Sequence, residues 1–209
     1  MKIKEFVYKH INNNFLLYFL LVLFLMIGIS AGAITVSVID NSQKQEMISF
    51  LNSFFKILNQ NNVDSFILLK HSLLNNVQTL FFIWLLGIIV IGVPLVMGIV
   101  MLRGFIIGFT VGFLVNELGF KGFVFSILAI LPQNIFVIPG IIIISAISIS
   151  FSLKTIKNKI NRKNRYNFTA ELIRYSLITV SLSILLILGS LIEAYITPVF
   201  MKLILGYVS

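Results

Sequence analysis

The sequence predicts an all-α polytopic membrane protein. It would have about five transmembrane helices, an extracytoplasmic amphipathic helix and one helix broken at a proline. Of 209 residues, 58% are hydrophobic and only 11% charged, where an ordinary soluble domain carries about 25% charged residues. Mean hydropathy is +1.04. The net charge of +9 is also segregated: the N-terminus, Arg103 and the segment 154–174 together account for all of it, as the positive-inside rule produces.

The same composition excludes several function classes. The longest polar stretches are shorter than a normal domain, so 1–209 forms a single integral membrane domain. The chain has no cysteine, which rules out disulfides and thiolate metal sites. His10 and His71 lie in unrelated segments, so no metal or cofactor is expected. Charge so divided gives no continuous basic face for nucleic acid. The basic segment instead suits anionic lipid headgroups or a cytoplasmic partner.

Residues 1–14 are short and basic, placing the N-terminus in the cytoplasm. The charge-free run 15–39 is longer than the apolar core of a signal peptide and predicts the first span. The outer loop 40–71 follows. Within it Met47, Phe50, Leu51, Phe54, Phe55 and Leu58 recur at helical spacing opposite Ser49, Asn52 and Lys56, an amphipathic helix. Asp64 is placed to cap the helix after it. The further spans are expected at 73–92, 94–116, 122–153 and 175–201, around a cytoplasmic basic loop at 154–174. Two parses compete around Pro94. In one, a single helix runs on to Arg103, at the cytoplasmic edge, and leaves 104–116 as the next span. In the other, Pro94 opens the third span with Arg103 inside the membrane, which is preferred because 104–116 reaches only about 20 Å. An odd number of crossings puts the C-terminus outside.

The stretch from Arg103 to Gly140 concentrates features that hydrocarbon tolerates only for a reason. Gly104, Gly108 and Gly112 form a ladder for close approach of another helix. Arg103 and Glu117, with Glu193 further on, are intramembrane or interfacial charges, which normally face a partner. Glu117 or Glu193 would pair with Arg103. The run 122–153 is too long for one straight span. Pro132 therefore predicts a break, with Gln133 and Asn134 at membrane depth and Pro139 beyond it. No catalytic constellation, phosphate loop or metal-ligand cluster occurs, so no enzyme is expected.

Three runs in this order resemble the stage II sporulation protein M family. They are Arg103-Gly104 with Gly108, Leu131 to Ile135 with Pro139, and Ile192-Glu193-Ala194-Tyr195-Ile196-Thr197-Pro198. The resemblance covers nearly the whole chain. Where the family's middle motif reads Pro-His-Gly-x-x-Glu-x-Pro, this chain has Gln133, Asn134 and Val137 in place of His, Gly and Glu. The resemblance implies a non-enzymatic membrane scaffold of the engulfment machinery, on the mother-cell side of the sporulation septum. Its implied partners are the peptidoglycan-degrading sporulation proteins D and P, with membrane lipids and a second copy of the chain as further partners. Phe50, Phe54 and Phe55 are the candidate contact residues. The competing expectation is a small transporter or permease-like subunit, with Arg103, Gln133, Asn134 and Glu193 lining a polar site.

Overall fold

The computed structural model describes residues 10–59, 64–89, 91–160 and 167–201. Among these, all regular structure is helical. Helix α1 is Phe15–Val38, α2 is Asn41–Asn59 and α3 is Ser65–Ile88. The helical stretch Gly92–Ile160 is divided at Gly119 into α4 (92–118) and α5 (120–160). Helix α6, Phe168–Leu191, continues through a π turn at Ile192–Ile196 as far as residue 201.

Among the described residues, three helical stretches are long and apolar enough to cross a membrane: Phe15–Val38, Gly92–Ile160 and Phe168–Met201. The second of these contains both α4 and α5. Helix α3 is not among them, because Asn75, Asn76 and Gln78 interrupt its apolar run. It starts at Ser65, directly after its expected cap, so the residues from 73 on are the later part of a longer helix. Asp64 caps it, the side-chain carboxylate accepting from the Phe66 N–H at 2.8 Å. Asn167 does the same for α6, accepting from the Ala170 N–H at 3.2 Å.

The glycine ladder of α4 meets a second ladder on α1. A methyl group at Gly28 would overlap the Met101 carbonyl oxygen, and one at Gly32 the Phe105 oxygen. In return, Gly104 lies on the Leu25 carbonyl and Gly108 on that of Ile29, while Gly112 faces Ala33. The pairs advance together along both helices, so α1 and α4 run parallel with backbones in contact. Only glycine permits this approach.

Gly119 reverses the chain between α4 and α5, with φ 59° and ψ −135°, a conformation that L side chains do not adopt without strain. Across the turn Gly122 lies on the Leu114 carbonyl, and Leu114 packs with Phe125 and Ala129, so α5 folds back along α4 as an antiparallel hairpin. Helix α3 is antiparallel to α6, since Ser72 meets Glu193 while Trp84 meets Ser176.

The break expected at Pro132 does not form. Helix geometry persists through both Pro132 and Pro139, and the one non-helical residue in the stretch is Gly119. The amide of Asn134 donates to the Ile130 carbonyl at 2.7 Å, bonding back onto its own helix. The segment packs against α6, where Gly189 receives Val137. A proline then costs one backbone bond without ending the helix.

The serines of α5 reach across the bundle as well as packing within it. Ser148 donates to the Ile83 carbonyl at 2.8 Å and Ser152 to that of Ile89 at 3.4 Å. Tyr175 stacks on Phe151 with centroids 4.6 Å apart and donates to the Trp84 carbonyl at 3.1 Å. These contacts close the end of the core formed by α3, α5 and α6. Nearby, Lys154 and Glu171 pair at 2.7 Å.

At the opposite end Leu51 of α2 packs on the cluster Leu114, Phe125 and Ala129, beside Met201. Phe50 is 74% exposed. The side chains of Phe54 and Phe55 lie outside the described residues.

Candidate functional site: a polar cavity among α3, α4, α5 and α6

Helix α3 carries Ser72, Asn75, Asn76 and Thr79 at spacings of three and four, which gather on one helical face. That face looks onto Arg103 of α4, Gln133 and Asn134 of α5, and Glu193 in the π turn after α6. Together they line a cavity of about 580 Å³. Four helices thus direct amides, hydroxyls, one cation and one carboxylate into a shared space inside an otherwise apolar bundle.

The groups are positioned by a chain of hydrogen bonds. Arg103 Nη2 donates to Asn76 Oδ1 at 2.7 Å and to Thr79 Oγ1 at 3.3 Å. Asn76 Nδ2 donates to Ser190 Oγ at 2.9 Å, and Ser190 donates to the Leu186 carbonyl at 3.1 Å. Ser72 donates to Glu193 Oε2 at 2.5 Å. Arg103 and Glu193 attract each other, yet form no ion pair within 4 Å. The Oε1 atom of Gln133 is buried and accepts no hydrogen bond among the described residues. A buried acceptor without a donor is costly.

Pro198 explains how Glu193 comes to this place. Its ring lacks an N–H and would press on the Ala194 carbonyl in a regular helix. Here the preceding turn widens to π geometry, with the Thr197 N–H bonding to the Ile192 carbonyl. The inserted residue turns Glu193 toward α3. Such π bulges recur at functional sites.

Arg103, Gln133, Asn134 and Glu193, singled out separately along the sequence, therefore come together. Glu117, Pro132 and Pro139 do not line the cavity, and the partners within hydrogen-bonding reach of Arg103 are Asn76 and Thr79. Gly104, Gly108 and Gly112 serve the α1 contact instead. The contribution of α3 was missed in the sequence. Its signal was there, as a polar stripe at helical period within a stretch free of charge from Ser72 to Leu102.

A second, smaller cavity lies at the other end of the bundle, lined by His10, Lys154, Glu171, Arg174 and Tyr175. Burial pushes the His10 imidazole below its ordinary value of 6.5, which favours the neutral form at pH 7. His10 Nδ1 lies 3.0 Å from the Tyr18 hydroxyl. Among the described residues no group of three or more His, Asp or Glu could hold a metal ion.

The family described as stage II sporulation protein M matches residues 20–198, most of the chain. The chain belongs to the stage II sporulation protein M family. The match takes in both glycine ladders, the α4–α5 hairpin, every polar residue named for the larger cavity and the Glu193–Pro198 turn. Membership suggests a role in sporulation, and the apolar helices suggest a membrane protein. Among curated proteins and solved structures, nothing matches the chain.

Proposed function

We propose that this protein is a non-enzymatic scaffold of engulfment. It would cross the membrane five times, with its N-terminus in the cytoplasm and its C-terminus outside, and recruit peptidoglycan-degrading partners to the sporulation septum. Family membership over residues 20–198 is the observation that carries this reading. The directions of the helices support the topology. α1 and α4 run one way, α5 the other, and α3 is antiparallel to α6. On this topology α2, with its exposed Phe50, lies on the extracytoplasmic face, where sporulation proteins D and P would dock.

The test is a deletion strain of the sporulating host, imaged with a membrane dye. Septal membranes are expected to stall flat or bulging, with migration restored by the wild-type gene. A triple change of Phe50, Phe54 and Phe55 to Ser should leave the protein in the membrane and reduce partner capture in pull-downs by about tenfold, the effect of losing a small apolar hot spot. Normal engulfment without the gene, or undiminished capture by the variant, overturns the scaffold.

The polar cavity favours a second reading, a small transporter subunit. It predicts solute flux in proteoliposomes that Glu193→Gln or Gln133→Leu abolishes, and absence of such flux rejects it.

A further inference from the structure

The larger cavity has chemistry that neither recruitment nor packing uses. Arg103 commits one guanidinium nitrogen to Asn76 and Thr79, and the remaining nitrogens have no hydrogen-bond partner among the described residues. Glu193 accepts from Ser72 through Oε2 alone. A cation with donors to spare and a carboxylate with an acceptor to spare thus share one cavity without pairing directly. Gln133 also lines the cavity, as a neutral amide. Such a site is complementary to a zwitterion, an anionic group for Arg103 and an ammonium for Glu193.

The mouth of the cavity identifies the kind of zwitterion. On its rim Phe82 of α3 is 55% exposed, and Leu102 and Ile106 of α4 are 62% and 57% exposed. Asn75, Gln78 and Thr110 are exposed among them. The opening therefore lies on the side of the bundle, between two helices, with apolar side chains flanking a polar floor. A dissolved solute gains nothing from that rim. An amphiphile does, because its headgroup can enter while its chains stay against Phe82, Leu102 and Ile106.

The geometry points to a lateral binding site for the headgroup of an aminophospholipid, its phosphate on Arg103 and its primary ammonium on Glu193. Asn76 and Thr79 hold the guanidinium in place, and the π turn before Pro198 holds the carboxylate. The site stands on the cavity alone and is independent of any partner on α2.

The experiment is native mass spectrometry of the detergent-purified protein with phosphatidylethanolamine, phosphatidylglycerol and dissolved phosphoethanolamine as probes. Wild type is expected to retain phosphatidylethanolamine about tenfold more tightly than phosphatidylglycerol, the scale of one charge-assisted contact in a site of low dielectric. Glu193→Gln should bring that ratio close to one by removing the partner of the ammonium, while Arg103→Gln should lose both lipids. Since Arg103→Gln can also disturb folding, Gln78→Trp provides a separate check. Residue 78 is exposed at the mouth, so a bulky ring there should block entry without loosening the bundle. Equal retention of both lipids by wild type, or undiminished retention by Gln78→Trp, overturns the site. Competition by dissolved phosphoethanolamine at the same concentration as the lipid overturns the assignment to an amphiphile. The assay needs no sporulating cell, so its failure and that of the engulfment reading are told apart.

Discussion

Gly108→Leu should separate α1 from α4 and destabilise the bundle by about 3 kcal/mol, the upper end for overpacking. The Gly108 Cα faces the backbone of Ile29, whose carbonyl oxygen and Cα both occupy the space a side chain needs. A flexible side chain could move aside, but the backbone of a packed helix cannot shift without undoing the Gly104 and Gly112 contacts as well. Gly98→Ala is the matched control. Nothing lies within 4 Å of a methyl group there, and replacing a helical glycine by alanine should stabilise by about 1 kcal/mol. Thermal unfolding in detergent should rank the variants Gly98→Ala, wild type, Gly108→Leu. A Gly108→Leu variant that melts with wild type would show that the ladders do not hold the two helices together.

Gly119→Val should be as damaging, for a different reason. Nothing crowds residue 119, so the effect lies wholly in the backbone. At φ 59° and ψ −135°, a β-branched residue is strained by about 3 kcal/mol. Its easiest escape is helical geometry, which would fuse α4 and α5. A straight helix over Gly92–Ile160 would be about 100 Å long, several times the roughly 30 Å of a bilayer core. The expected result is loss of monodisperse protein on size-exclusion chromatography. Gly119→Asn should fare no better, because asparagine eases the left-handed helical region and this ψ lies outside it. Native-like yield from the asparagine variant would show that the turn tolerates another conformation.

How much of this could be read from the sequence depended on whether a feature was local. The α4 ladder, the Asp64 cap and the amphipathic α2 are patterns within a few turns of chain, and they stand where expected. The partner of the ladder was not legible. Gly28 and Gly32 stand four apart on α1, but nothing in that spacing says which distant helix shares their register. Pro132 misled because a proline's effect depends on its surroundings. Packed on α6, with Asn134 bonding back to Ile130, it interrupts nothing. Pro198 shows the converse, bending its turn into π geometry and so placing Glu193. Arg103 drew attention to acidic partners, whereas amide and hydroxyl oxygens on α3 hold it. Hydropathy averaging had dissolved those residues into an apolar stretch.

The length of α5 has a consequence for where solvent and hydrocarbon can meet. Its charge-free run 122–153 measures about 48 Å along the axis, well beyond a bilayer core of about 30 Å. Tilting alone would have to be extreme to hide the surplus. Instead the second half of the run is wrapped by the protein itself. Gly140, Ile141, every residue from Ile144 to Ile149, Phe151 and Ser152 are buried. The most apolar 18-residue stretch of this helix is 61% buried, against 28% in α1 and 33% in α6. Part of what reads as lipid-facing in the sequence is therefore covered by other helices, and the surface offered to hydrocarbon at that level comes from their outer faces, such as Leu177 and Val180 of α6.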